Sequence, residues 1–522
     1  MDQMATSEVS AAAEQNVEAI PPPKQSTADK FLTALTLIRL AFVGAWKHYT
    51  VGPPAPTWPL FVSIVTYLIR TSATSATRKR TANPPRTRAE LVGLAQVKST
   101  LDKFVVDKDA LEEAIIKEVE FTVKKRPELG GLLQELAAQE SGDRKLKAEW
   151  TVHDSLLPSC AGEHSDPRPQ VVLYLHGGAH VRLSPRTHRR TVARISQEFK
   201  CRALSLDYRL SPGVVFPAST LDAVSAYFYL TEDLGIAPDE IIVAGDSAGG
   251  GLCLTLMQYL RDAGLPQVGA AYLLSPWCDL TTSFESWNRN KDHDYIKIDD
   301  ENDPMHPPRL YLSPIYPRTP AGNADYARLL LSGYVSQALA PLEALRDLPP
   351  MLVQTGGLET LVDENVVLVR RLRLAGGNEG KVTHQVWMDG VHVFQALQPN
   401  RAGASALREA GKWYARLRSS SSTATNSKDA DGGWTRQIDD LIEEEKQARI
   451  ARTGGPLKRA KKPAADPKWD YVRSVERVQP EVACKVGAAH EEVARKAVEE
   501  ARRIEGERAE SEVFRPVRAG SC

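Results

Sequence analysis

One serine constrains this chain more than any other feature. The stretch Gly245-Asp246-Ser247-Ala248-Gly249-Gly250 follows the apolar run Ile241-Ile242-Val243-Ala244 and leads into Leu252-Cys253-Leu254-Thr255-Leu256-Met257. That order predicts a strand, a sharp turn and a helix, with Ser247 at the turn. Glycines on both sides permit such a turn without Cβ clashes, and the start of the helix aims free N–H groups at the hydroxyl. With Gly and Ser each at ~7% of residues, a bare G-x-S-x-G arises by chance roughly 0.2 times in a chain of this length, so its context must carry the argument.

The context is a second glycine turn. Val171-Val172-Leu173-Tyr174-Leu175 reads as a buried strand and runs into His176-Gly177-Gly178-Ala179. Attack of a serine on a carboxyl carbon builds negative charge on the carbonyl oxygen, and preorganised N–H donors there supply about 3 kcal/mol of transition-state stabilisation. Gly177, Gly178 and Ala248 are the candidate donors for this oxyanion hole.

A serine hydroxyl is a weak nucleophile near neutral pH and needs a base and an orienting acid. His384-Gln385-Val386-Trp387-Met388 reads as a strand, and Asp389-Gly390-Val391-His392 follows it, which makes His392 the candidate base. Past the strand Met351 to Gly356 stand two usable carboxylates, Glu359 and Asp363. Glu359 lies in the loop directly beyond the strand and is the preferred acid. Asp363 is the alternative acid; its other reading is a cap for a helix over Val366 to Leu374.

Taken together, these segments resemble the hormone-sensitive-lipase-like branch of the α/β-hydrolases, which includes bacterial carboxylesterases and the arylacetamide deacetylases. Asp207-Tyr208-Arg209-Leu210-Ser211-Pro212, Phe216-Pro217-Ala218 and Ser275-Pro276-Trp277-Cys278-Asp279-Leu280-Thr281 look like further family segments, so the likeness runs from about residue 171 to 397. The resemblance implies an α/β fold, a mostly parallel sheet with helices on both faces and an N-terminal helical cap. It implies a serine hydrolase that cleaves carboxylic esters through an acyl-enzyme, a carboxylesterase or lipase favouring short to medium acyl chains. The catalytic set would be Ser247, Glu359 and His392, with no cofactor and no metal. The family's acid usually begins an acid-x-Leu-x-Asp-Glu stretch, and Glu359-Thr360-Leu361-Val362-Asp363-Glu364 matches it. Two positions depart from the pattern: Ala179 replaces a third glycine and is followed by His180, and the acid is glutamate rather than aspartate. A non-catalytic small-molecule-binding protein on the same fold is the alternative function; receptors of that kind lack the histidine, and His392 is present here.

At 522 residues the chain exceeds one ordinary domain, and its 66 basic and 66 acidic residues give a net charge of zero. That balance offers no electrostatic case for nucleic acid. The expected partner is a small-molecule ester. Cys160, Cys201, Cys253, Cys278, Cys484 and Cys522 show neither close pairing nor metal spacing, which favours a reduced, intracellular setting.

The domain reading has four parts. Residues 1–30 are polar, without the pattern of a secretory signal, and are expected to be disordered. Residues 31–140 form the helical cap, with helical spacing at Leu101, Phe104, Val105, Leu111, Ile115, Ile116, Val119 and Phe121. Within it, residues 31–69 leave three readings open: a membrane span, helices in contact with a membrane surface, or a plain cap. Arg39 in the middle of the first apolar run argues against the span. Residues 141–418 are the catalytic domain, in which a Pro-rich, charged insertion between Ser283 and Pro341 carries no assigned chemistry. Residues 419–522 read as a charged, largely disordered tail, with solvated helices over Trp434 to Arg452 and Glu491 to Glu510 and a basic cluster at Lys458 to Lys462.

Overall fold

Strands β3 (Val171–Leu175), β5 (Ile241–Asp246), β6 (Ala270–Leu274) and β7 (Met351–Gly356) are buried along their whole length. Such continuous apolar runs suit a parallel sheet covered on both faces. The computed structural model, which describes residues 26–95, 106–156, 170–298, 302–313, 320–397, 400–421 and 433–453, places them in the middle of one eight-stranded sheet. The others are β1 (Ala114–Thr122), β2 (Lys145–His153), β4 (Arg202–Asp207) and β8 (Val382–Trp387). The order is β1-β2-β4-β3-β5-β6-β7-β8. β2 runs antiparallel to both of its neighbours, and every other pairing is parallel.

Successive side chains of a strand point to opposite faces. Val172 and Tyr174 of β3 therefore join a layer with Val192, Ile195 and Phe199 of α5 (Pro185–Phe199) and Leu407 and Trp413 of α12 (Arg401–Ser421). Val171, Leu173 and Leu175 face the other layer, built from α6 (Ala218–Phe228), α7 (Ala248–Asp262) and α11 (Val362–Leu374). Because β3 lies between β4 and β5, its end and that of β5 stand side by side, with Leu175 opposite Gly245. The two glycine turns of the sequence thus meet at the carboxyl edge of the sheet, where open α/β sheets bind their ligands.

Three helices precede the sheet: α1 (Thr27–Thr50), α2 (Leu60–Ala82) and α3 (Arg88–Ala95). Apolar spacing predicts helices throughout residues 31–140, and the structure departs from this at β1. Leu111 lies just before β1, and Ile115, Ile116, Val119 and Phe121 belong to it; Leu101, Phe104 and Val105 fall outside the described residues. β-Branched residues and the alternation around Lys117, Glu118 and Glu120 suit an edge strand, and β1 pairs with β2 along nine residues. The sheet domain therefore begins before residue 141, and α4 (Gln134–Gln139) lies between its first two strands.

The expectation of an unstructured tail from residue 419 also fails in part. Residues 419–421 complete α12, and Gly433–Thr453 form helix α13 against β1. Ile438 and Ile442 are fully buried in the core, Arg202 pairs with Asp439 at 2.6 Å, and Lys108 pairs with Glu445 at 2.9 Å. The sequence predicts a helix over Trp434 to Arg452, but a solvated one; charge density masked its docked side, where Ile438 and Ile442 fall. The first 25 residues, the Lys458 cluster and the Glu491 segment lie outside the described residues. In the 283–341 insertion stand the short helices α8 (Ser286–Arg289), α9 (Pro307–Leu312) and α10 (Pro320–Leu330).

Candidate active site

Ser247 ends β5 and caps α7 with φ 54° and ψ −124°, a backbone conformation that non-glycine residues adopt only under constraint. Its N–H is held by Leu274 O, and its own carbonyl accepts from Trp277 N. The turn needs glycine next to it: a Cβ on Gly249 would stand 2.0 Å from Leu175 O. Half-buried Ser247 then presents Oγ 2.8 Å from His392 Nε2. Behind the ring, Glu359 Oε2 lies 3.6 Å from His392 Nδ1. This is ion-pair distance, and neither Glu359 oxygen nor His392 Nδ1 has a hydrogen-bond partner among the described residues. Catalytic contacts of this kind are often long without substrate and tighten as charge develops.

Ser247, His392 and Glu359 are thus brought together, from the ends of β5, β8 and β7. Asp363 is not in this group. It accepts from Ser286 N at 2.9 Å and from Arg289 at 2.6 Å, on the first turn of α11, in keeping with a structural role.

Electrostatics distinguish the members. Burial alone would lower the pKa of His392, but the Glu359 carboxylate outweighs it and holds the imidazole above its ordinary value. Burial raises the Glu359 carboxyl, and His392 offsets this only in part. The other histidines near the turns are of another kind: burial pushes His176 and His180 down to about 3, so both are neutral. His176 stacks on Tyr208 at 4.3 Å, and His180 lies flat on Tyr311 at 3.8 Å.

One oxyanion candidate is corrected. The Gly177 N–H donates to Asp246 Oδ1 at 2.9 Å, so it faces the carboxylate before the serine and is not free for a ligand. Asp246 also accepts from Tyr174 Oη at 2.6 Å and lies 3.3 Å from His188 Nε2. Burial would raise its pKa, yet His188 and these donors bring it down to about 2. This buried carboxylate ties the first glycine turn to the second. Gly178, with φ 120°, and Ala248 remain of the original three; Ala179, with φ 57°, continues the turn.

Sequence reasoning gave no role to the insertion, yet Asp294 joins the loops of acid and base. Fully buried, it accepts from Thr360 N at 2.8 Å, Tyr295 N at 2.8 Å and His392 N at 3.2 Å. Tyr295 Oη donates to His392 O at 2.7 Å. No periodicity or motif marks such a residue, because the partners it joins across the fold, Thr360 and His392, lie more than 60 positions away. The cap contributes similarly: Thr57 Oγ1 and Trp58 Nε1 both donate to Asp389 at 2.6 Å, three residues before His392. Among the described residues no cluster of His, Cys, Asp and Glu is arranged to hold a metal, and Cys201, Cys253 and Cys278 are buried free thiols.

A family model described as alpha/beta hydrolase fold matches residues 172–396, which spans both glycine turns, Glu359 and His392. An acetyl-hydrolase of Streptomyces hygroscopicus is 33% identical over 46% of this chain and 74% of its own length. The chain belongs to the α/β-hydrolases. Esterase LipU of Mycobacterium tuberculosis is 30% identical to this hydrolase over 48% of the chain and 78% of its own length. The crystal structure of an esterase from the bacterial hormone-sensitive lipase family covers 67% of this chain and 98% of its own, with 29% identity and a TM-score of 0.44. The protein is an esterase- or lipase-like α/β-hydrolase whose cap and α13 lie outside the span of the family model.

Proposed function

We propose that this hydrolase cleaves carboxylic esters of small molecules through an acyl-enzyme, using Ser247, His392 and Glu359. The observation that carries the reading is the 2.8 Å contact between His392 Nε2 and Ser247 Oγ on a turn that holds the serine at positive φ. His392 takes the hydroxyl proton as Oγ attacks the carbonyl carbon, and Glu359 stabilises the imidazolium that forms. The negative charge on the carbonyl oxygen meets the N–H groups of Gly178 and Ala248, with Ala179 the next donor along the turn. His392 then returns the proton to the leaving alcohol. Water, activated by the same imidazole, releases the acid and restores Ser247.

Names of relatives support the ester class, since they include an acetyl-hydrolase and an esterase. Short to medium acyl chains are part of the proposal; beside the oxyanion turn His180 stacks on Tyr311, and Val181 packs with Leu91, Met305 and Leu310. The test is turnover of p-nitrophenyl esters from acetyl to palmitoyl by the wild type and Ser247→Ala. Expected are a preference for the shorter esters and a loss of about 10³-fold or more in the variant, with folding retained. Equal turnover by folded Ser247→Ala would overturn the assignment, and a folded wild type that neither turns over esters nor reacts with a fluorophosphonate would favour a binding protein.

A further inference from the structure

Helix α1 turns its aromatic side outward. Phe31, Leu35, Ile38, Phe42, Trp46 and Tyr49 are between 46% and 75% exposed. At 100° per residue they fall within a sector of about 80°, a continuous stripe along the helix. The opposite side is the packed one: a Cβ on Gly44 would lie 3.3 Å from Ile64 of α2 and 3.5 Å from Tyr67. The stripe is therefore the outer surface of a helix pair whose inner contacts are already made.

Charge identifies the occupant. Between residues 31 and 89 there are eight Lys or Arg and no Asp or Glu, in a chain whose net charge is zero. Arg70 and Arg80 reach back to Asp292 and Asp303 of the insertion. Arg39, Lys47, Arg78 and Lys79 are exposed, and Arg39 borders the stripe. No described helix is long and apolar enough to cross a membrane. An exposed apolar stripe with Trp, Phe and Tyr, flanked by cations alone, has the composition of a helix that lies in the plane of an anionic bilayer surface.

We propose that α1 seats this protein on anionic membrane surfaces through the Phe31 to Tyr49 stripe. The cap would then hold the active-site mouth near the lipid, because Trp58, at the start of α2, packs against Trp387, Val391 and Phe394 around the His392 loop. Docking by α1 does not depend on which ester is cut.

The test is co-sedimentation of the full chain with phosphatidylcholine vesicles, with and without phosphatidylserine, for the wild type, Phe42→Ser/Trp46→Ser and Arg39→Glu/Lys47→Glu. The wild type should bind the anionic vesicles, more weakly in high salt, and the first variant should lose roughly tenfold or more in partitioning. The charge reversal should weaken binding to anionic vesicles while leaving the apolar face intact, which keeps the test open if the first variant melts without cooperativity. No binding to either vesicle overturns the proposal, as does binding that both variants retain in full. Sedimentation velocity adds the remaining arm: a wild type that dimerises through the stripe and ignores vesicles makes α1 a self-association face and also overturns it.

Discussion

Two buried carboxylates, each beside a basic side chain, stand at different edges of this sheet and are completed differently. Glu149 on β2 receives Arg189 in a two-pronged contact, with Nε at 2.9 Å, and Arg189 also donates to Val106 O at 2.9 Å and Glu118 at 3.1 Å. Glu359 faces His392 across 3.6 Å, and among the described residues neither of its oxygens has a partner within hydrogen-bond geometry. The first pair is closed, as a buried charge requires when its only task is to persist. The second is left incomplete, and it becomes an ion pair only when His392 gains a proton at Nε2. Saturation thus separates a charge that holds the fold from the one proposed to work in a cycle.

The largest test of this difference is Glu359→Gln. Turnover is expected to fall by about 10² to 10⁴, as for loss of an orienting acid, with little change in unfolding free energy because burial already opposes ionisation of Glu359. The pH profile adds a sign. His392 acts as base only when neutral, and its pKa stands above the ordinary ~6.5, so wild-type kcat/KM should fall as pH drops through a value above that. In the variant the raising carboxylate is gone and burial remains, so the acid limb should move to lower pH. Asp363→Asn, made in parallel, should retain turnover within about threefold, since Asp363 serves Ser286 and Arg289. A larger loss from Asp363→Asn than from Glu359→Gln would reverse the assignment of the acid.

At the other edge the effects should exchange places. Arg189→Ala leaves Glu149 buried and unpaired, and should cost about 3 kcal/mol or more in urea unfolding. At temperatures where the variant is folded, kcat should match the wild type, because the hydrogen-bond partners of Arg189 among the described residues are Glu149, Glu118 and Val106, away from the β5 to β8 ends. Loss of turnover without loss of stability would mean that the two edges are coupled.

The two edges were also unequally legible. The ends of β5, β7 and β8 could be read because each candidate residue follows a strand by a few positions: Ser247, Glu359 and His392 all lie where a strand stops. Local chemistry sets those turns, so local sequence reports them. Gly177 was misread because the competitor for its N–H, Asp246, is 69 positions away and visible only once β3 and β5 pair. Asp294 and Trp58 were silent for the same reason. The antiparallel edge was harder still, since Ile115, Ile116, Val119 and Phe121 satisfy a helical spacing as readily as a strand's, and only pairing with β2 decides. α13 is mostly charged on its surface, and two buried isoleucines among polar neighbours do not make a recognisable stripe.

That last helix gives the smallest and most discriminating test, because apolar burial and ion pairs both hold it. Ile442 is fully buried in the main core, whereas the Lys117–Glu444 pair is 3.0 Å long with a glutamate side chain 71% exposed. Ile442→Ala should lower the unfolding free energy by about 2 kcal/mol, the lower end for such truncations, since a helix at the edge can settle into the space. Glu444→Ala should change it by no more than about 0.5 kcal/mol, because water screens the pair and ordering two long side chains costs entropy. Neither should alter turnover. If Glu444→Ala proved the costlier, α13 would be held by its charges, and the closed pairs of this edge would matter collectively rather than through Arg189 alone.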